Sequence, residues 1–186
     1  GAFDSIHSNQ RDLLLHFTDL QKSPVAHLPG SQLTFGFAPP ALESSGLQPM
    51  NTAEKVRNEV EHLGMDVTRH MLTFYAPFLN AIGAVKSSDL LSLRSDSSVL
   101  VAGVKVALQT PPVRSGRRVI FLTLDDGYGC SDSTFFPDAQ VDHASTLYST
   151  SLLLVQGHTR RTGKRGISIR ATAVWDLRLA YERWRS

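Results

Sequence analysis

The sequence predicts an α+β chain in which a helical connector is followed by a five-stranded OB-fold β-barrel. Three observations lead there. Residues 51–95 carry capped apolar stripes at helical spacing. From Ser98 onward the apolar period changes to two. Five such runs then follow, with a helix-period segment between the third and the fourth, which is the order of a small Greek-key barrel. With 186 residues, 41% of them apolar, the chain has material for one ordinary domain with an appendage, or for two small domains.

The elements follow in order. Residues 5–20 predict a helix, because Leu13, Leu14 and Phe17 recur at helical spacing and Ser8 or Asn9 can cap it. Residues 23–50 hold Pro24, Pro29, Pro39, Pro40 and Pro49, a density that no regular element survives. They read as a linker, or as an extended strap laying Phe35 and Phe37 on a neighbour. In "NTAEKVRNEVEHLG", Asn51 and Glu54 have capping-box spacing, Val56, Val60 and Leu63 form a stripe, and Gly64 supplies the stop. A second helix is expected from near Asp66 to Pro77, then an apolar turn "PFLNAIG", then "DLLSL" capped by Ser88. The first strand, "VLVAGVKVALQ", places Leu100, Ala102, Val104, Val106 and Leu108 on one face. "VIFLTLDD" and "SDSTFF" form a hairpin, "PDAQVDHASTLY" a short helix after Pro137, and "LLLVQGHT" and "ISIRATAV" the last two strands. "DLRLAYERW" closes as a helix. The expected divisions are 1–22, 23–50, 51–95, 96–176 and 177–186.

Charge is uneven. Residues 1–95 carry 7 basic and 9 acidic side chains, whereas residues 96–186 carry 12 and 8. The loop after the first strand contains Arg114, Arg117 and Arg118, and the loop between the last two strands contains Arg160, Arg161, Lys164 and Arg165. Neither contains an acid. In OB-folds these two loops flank the binding face, so the seven cations would line a groove that tracks a phosphate backbone. Stacking platforms come from the second and third strands. Ile120, Leu122 and Leu124 form a uniformly aliphatic core face, which leaves Phe121 outward with Val119 and Thr123. Phe135 and Phe136 point oppositely, so one of them reaches the same face, and Arg170 points outward in the last strand.

Other chemistry finds little support. The acids of "FLTLDDGYGCSDSTFF" raise the question of a metal site, but Asp126-Gly127 is a hairpin dipeptide, and Asp125, Asp126 and Asp132 read as punctuation. Cys130 is alone, without a disulfide partner or thiolate set, as suits a reducing cytoplasm. The seven histidines fall in no ligand spacing, and HExxH, CxxC, GxSxG and GxxxxGK[ST] patterns do not occur. No catalytic residue, metal or cofactor is expected. No apolar run is long enough for a membrane span, and the opening residues lack the order of a secretory signal. The chain opens on Gly1 without a Met, so a fragment or a trimmed chain is expected.

Together "AGVKVALQTPP", "FLTLDD" before a glycine turn, and "RRTGKRGISIRA" resemble the carboxy-terminal OB domain of bacterial DNA polymerase III alpha subunits, closest to the error-prone actinobacterial type. The opening "GAFDSIHSNQRDLL" resembles the end of that family's helix-hairpin-helix region, and Asn51 to Leu93 occupies its connector. In the hairpin turn, "GYGCSD" stands where the family usually has a residue such as Glu, Thr or Arg. The resemblance implies single-stranded DNA binding within a cytoplasmic, nucleoid-associated polymerase of replication and repair synthesis. Polymerisation itself would need palm aspartates located upstream, so no activity is expected of this chain alone. The alternative is a module docking polymerase accessory proteins, with "LTFGF" and "AYERWR" as docking pieces.

Overall fold

The computed structural model describes residues 7–22, 44–111, 118–161, 163 and 166–186. The chain divides into two compact units, Gly1–Arg69 and His70–Ser186.

In the first unit, α1 spans Gln10–Lys22. It begins later than the sequence suggested, because Asn9 caps it: the Asn9 Oδ1 accepts the Arg11 N–H at 3.1 Å. The expected stripe is not a core face. Leu14 and Phe17 are 58% and 59% exposed. Helix α2, Thr52–Leu63, has the predicted capping box between Asn51 and Glu54, and Gly64 ends it at φ 72°. Glu54 also receives a forked hydrogen bond from Arg11 at 3.0 and 3.1 Å, joining the two helices. The helix expected from Asp66 does not form there. Glu59 accepts the backbone N–H groups of Val67 and Thr68, each at 2.8 Å, and this side-chain capture holds the segment in a bend.

The second unit opens with a 3-10 turn, Met71–Tyr75, capped by His70, and continues directly into α3, Ala76–Ala81. Pro77 therefore starts a helix instead of ending one, since a first-turn proline forfeits no helical hydrogen bond. Helix α4 is Ser87–Leu90, with Lys86 and not Ser88 at its N-cap.

The barrel strands are β1 Ser98–Gln109, β2 Ile120–Asp125, β3 Cys130–Phe135, β4 Leu152–Arg161 and β5 Ile167–Asp176. They close in the order β1-β2-β3-β5-β4, antiparallel except for the β3–β5 pair. Two short helices, α5 Pro137–Gln140 and α6 Ala144–Ser149, replace the single helix expected between β3 and β4. Helix α7, Leu177–Arg185, follows β5 and is capped by Asp176.

Apolar residues form two clusters. The barrel interior gathers Val99, Val101, Ile120, Leu122, Leu124, Phe135, Leu153, Val155, Ile169 and Val174, joined by Leu90 of α4 and Leu147 of α6. Outside the wall, Ala102, Leu152 and Leu154 pack with Leu72, Phe78 and Leu177. The uninterrupted "LLLV" run of β4 is thereby explained, because both of its faces are covered. The single face predicted for β1 splits. Leu100, Ala102 and Val104 belong to the outer cluster, whereas Leu108 packs against the barrel interior. A register shift between Lys105 and Ala107 lies between them, and this bulge inverts the alternation and leaves Val106 exposed.

Candidate nucleic-acid interface

Strand parity fixes which side chains point away from the barrel. On β2 the inward set is Ile120, Leu122 and Leu124, each at most 2% exposed, and Phe121 stands outward at 43%. On β3, Phe135 is fully buried, so Phe136 is the phenylalanine of the pair that reaches the outer side. The strand pairing then aligns one outward row: Gln109 beside Phe121, Phe121 beside Thr134, Thr134 beside Arg170, and Arg170 beside His158. The Arg170 guanidinium lies 5.4 Å from the centre of the Phe136 ring, within cation–π range. The next row pairs Thr123 with Asp132 on β2–β3, and Arg160 with Ser168 on β4–β5.

The cations divide. Arg118 is exposed at the entry to β2, and its backbone carbonyl accepts the Gln140 side-chain amide at 2.7 Å. Gln140 also reaches the Phe135 carbonyl at 2.8 Å, so one side chain ties the start of β2 to the end of β3. Arg160 and Arg161 were expected in a loop but lie within β4, which is two residues longer than predicted. Arg160 shares the outward parity of His158. Arg161 has the inward parity at the strand end, and it turns to donate to the Leu91 and Leu93 carbonyls at 2.8 and 3.1 Å. Arg114, Arg117, Lys164 and Arg165 lie outside the described residues.

The acidic hairpin is a turn device. The Asp126 carboxylate accepts the Tyr128 and Gly129 N–H groups at 2.9 and 3.1 Å. It also takes the Ser87 N–H and hydroxyl, each at 2.7 Å, fastening the hairpin to α4. Asp125 accepts the Gly127 N–H at 2.8 Å. Gly127 has φ 83°, and a Cβ there would come within 2.8 Å of the His70 ring. At the tip, Lys86 Nζ sits 4.2 Å from the Tyr128 ring centre. Among the described residues no group of three or more His, Cys, Asp or Glu side chains is arranged to hold a metal. Partial burial, and then the Asp125, Asp132 and Asp126 carboxylates, push the Cys130 thiol above its ordinary value.

Sequence reasoning did not find His158, Thr134 or Asp132 as members of the outward face. Their parity was readable, but their neighbours depend on inter-strand register, which a single strand does not encode. Away from this face, a groove of about 600 Å³ runs between β1, β4 and β5 and the helices α3 and α7, bordered by Trp175 and Arg183. The "AYERWR" segment beside it is used within the fold. The Tyr181 ring lies 5.1 Å from that of Tyr75 and 6.0 Å from that of Trp184.

Comparison with known proteins agrees with this architecture. The family model for the OB-fold nucleic acid binding domain tRNA_anti-codon matches residues 99–177. An error-prone DNA polymerase of Symbiobacterium thermophilum is 30% identical over 166 residues, covering 80% of this chain and 15% of that protein. The error-prone DNA polymerase of Bdellovibrio bacteriovorus is 25% identical, covering 88% of this chain and 16% of the other. The DNA polymerase III subunit alpha of Vibrio cholerae is 26% identical, covering 99% of this chain and 17% of the other. The chain thus spans 15–17% of the length of these relatives. It carries an OB-fold nucleic acid binding domain, and its relatives are error-prone DNA polymerases and DNA polymerase III alpha subunits.

Proposed function

We propose that this OB-fold domain binds single-stranded DNA without strong sequence demand, as the template-handling part of an error-prone polymerase of the DNA polymerase III alpha type. The observation that carries the proposal is the outward row of Phe121, Thr134 and Arg170, with Arg170 over Phe136. Aromatic faces accept stacked bases of any identity, and the flanking guanidinium groups neutralise phosphates. In this reading Phe121 and Phe136 stack, whereas Arg118, Arg160 and Arg170 meet the backbone, with Arg114, Arg117, Lys164 and Arg165 flanking them. Arg161 shapes the edge of the site by fastening the end of β4. The chain acts in replication and repair synthesis in the cytoplasm, in company with the rest of the polymerase and its accessory proteins, and has no catalytic role by itself. The opening helix then closes a helix-hairpin-helix region, and residues 51–95 connect it to the barrel.

Fluorescence anisotropy with oligo-dT at two salt concentrations tests the proposal. Binding should weaken as salt rises. Changing Arg160, Lys164 and Arg165 to Ala together should weaken it and flatten the salt dependence, and Phe121→Ala should weaken it while keeping the slope. Wild-type affinity indifferent to salt would sink the idea.

A further inference from the structure

A carboxylate stands on the outward face where DNA is expected to lie. Asp132 is exposed on β3, directly opposite Thr123 of β2. Thr134, two residues along β3 on the same face, is the partner of Phe121. Phe121 and Asp132 are therefore diagonal neighbours across the β2–β3 pair, about 7–8 Å apart in such geometry. A base stacked on the Phe121 ring would present its edge over Asp132.

The carboxylate is oriented. The Thr123 hydroxyl donates to Asp132 Oδ1 at 2.7 Å. Neither the Arg11–Glu54 pair nor the His70–Asp125 pair involves Asp132. A negative charge on this face opposes phosphate binding, so a plain surface role would weaken the very face it stands on. An ionised carboxylate accepts hydrogen bonds only. Cytosine offers its N4 amino group at the Watson–Crick edge, whereas thymine places the O4 acceptor at that position. At that C4 position the first is attracted and the second repelled, so discrimination depends on the carboxylate meeting the C4 substituent and not the thymine N3–H.

Resting on the function proposed above, we infer that Asp132 reads the base stacked on Phe121 and makes the domain prefer cytosine over thymine at that subsite.

The test compares oligo-dC with oligo-dT, using the whole chain at pH 8 and fixed salt, by anisotropy. The wild type should bind oligo-dC about fivefold more tightly, the size expected for one hydrogen bond to a charged group on an exposed face. Asp132→Ala should lower oligo-dC affinity and raise oligo-dT affinity, bringing the ratio to about one. Asp132→Asn preserves shape and the acceptor for Thr123, and its amide accommodates O4, so it too should reduce the ratio. Circular dichroism of both variants establishes that the barrel is intact. Wild-type binding with no cytosine preference, or a preference that survives both substitutions, overturns the role of Asp132 and leaves the proposed function standing. Failure of the wild type to bind either oligonucleotide overturns both.

Discussion

Two adjacent arginines, Arg160 and Arg161, should behave differently when removed. Arg160 points outward and Arg161 donates to two carbonyls of the segment after α4. For single-stranded nucleic acid each phosphate contact contributes about 0.7 to the slope of log affinity against log salt. Losing one contact therefore costs about fivefold at 0.1 M salt relative to 1 M, since 10 raised to 0.7 is about 5. Arg160→Ala should show that loss, with the slope shallower by about 0.7 and thermal stability unchanged. Arg161→Ala strips charge-assisted donors from the Leu91 and Leu93 carbonyls. Both partners retain solvent access, so the cost falls to about 1 kcal/mol, or roughly 3–5 °C in Tm for a unit of this size. Its salt slope should stay near the wild-type value. Salt-series anisotropy and thermal melts on the same preparations separate the two. A shallower slope for Arg161→Ala at unchanged Tm, together with an unaltered slope for Arg160→Ala, would refute the division of roles.

Other perturbations address the scaffold. Gly157 lies at a β4–β5 irregularity, where a Cβ would meet the Arg170 carbonyl oxygen at 2.3 Å and Ala171 Cα at 2.9 Å. Because these are backbone atoms, Gly157→Ala should cost about 3 kcal/mol in urea unfolding and weaken DNA binding through displacement of Arg170. Lys105 donates to the Leu147 and Tyr148 carbonyls at 2.7 and 3.2 Å, and burial pulls its pKa down. Lys105→Met should lower stability by about 1–2 kcal/mol, measured the same way, by uncovering the last turn of α6. In the first unit the Ser45 hydroxyl lowers the pKa of Asp12, the Asn51 N–H that of Glu54, and the Thr68 hydroxyl that of Glu59. A depressed carboxylate stabilises the fold above its unfolded pKa, near 4, and that contribution is lost as pH falls through the folded value. Helical circular dichroism from residues of this unit should therefore hold at pH 5 and decline below about pH 4.

What was legible in the sequence is what each strand encodes alone. The parity of Ile120, Leu122 and Leu124 separates core from face without any partner, and it set Phe121 and Arg170 outward correctly. Turn chemistry was equally local, because Asp126 and Gly127 carry their own geometry. Failures arose where a distant group intervened. The Glu59 carboxylate, eight and nine residues before them, holds the Val67 and Thr68 N–H groups. The bulge between Lys105 and Ala107 sends Leu108 inward. Carbonyls 68 and 70 positions away take up the Arg161 guanidinium.

The two apolar clusters also differ in how much of the barrel surface they cover. A barrel wall is usually half exposed, and any exposed stretch of it is a potential platform. Here Ala102 of β1, and Leu152 and Leu154 of β4, are covered by Leu72, Phe78 and Leu177. These contacts cover much of that side and leave the groove bordered by Trp175 and Arg183 beside them. The outer side of β2, β3 and β5 has no comparable cover among the described residues, and there Phe121, Asp132 and Arg170 are exposed. Aromatic surface left open beside a guanidinium group, while aliphatic surface on the opposite wall is buried, is the distribution expected of a one-sided stacking platform. The same distribution explains why β4 reads as continuous apolar sequence and β3 as small and polar. β4 is a wall between two cores, whereas β3 turns one side to the proposed ligand.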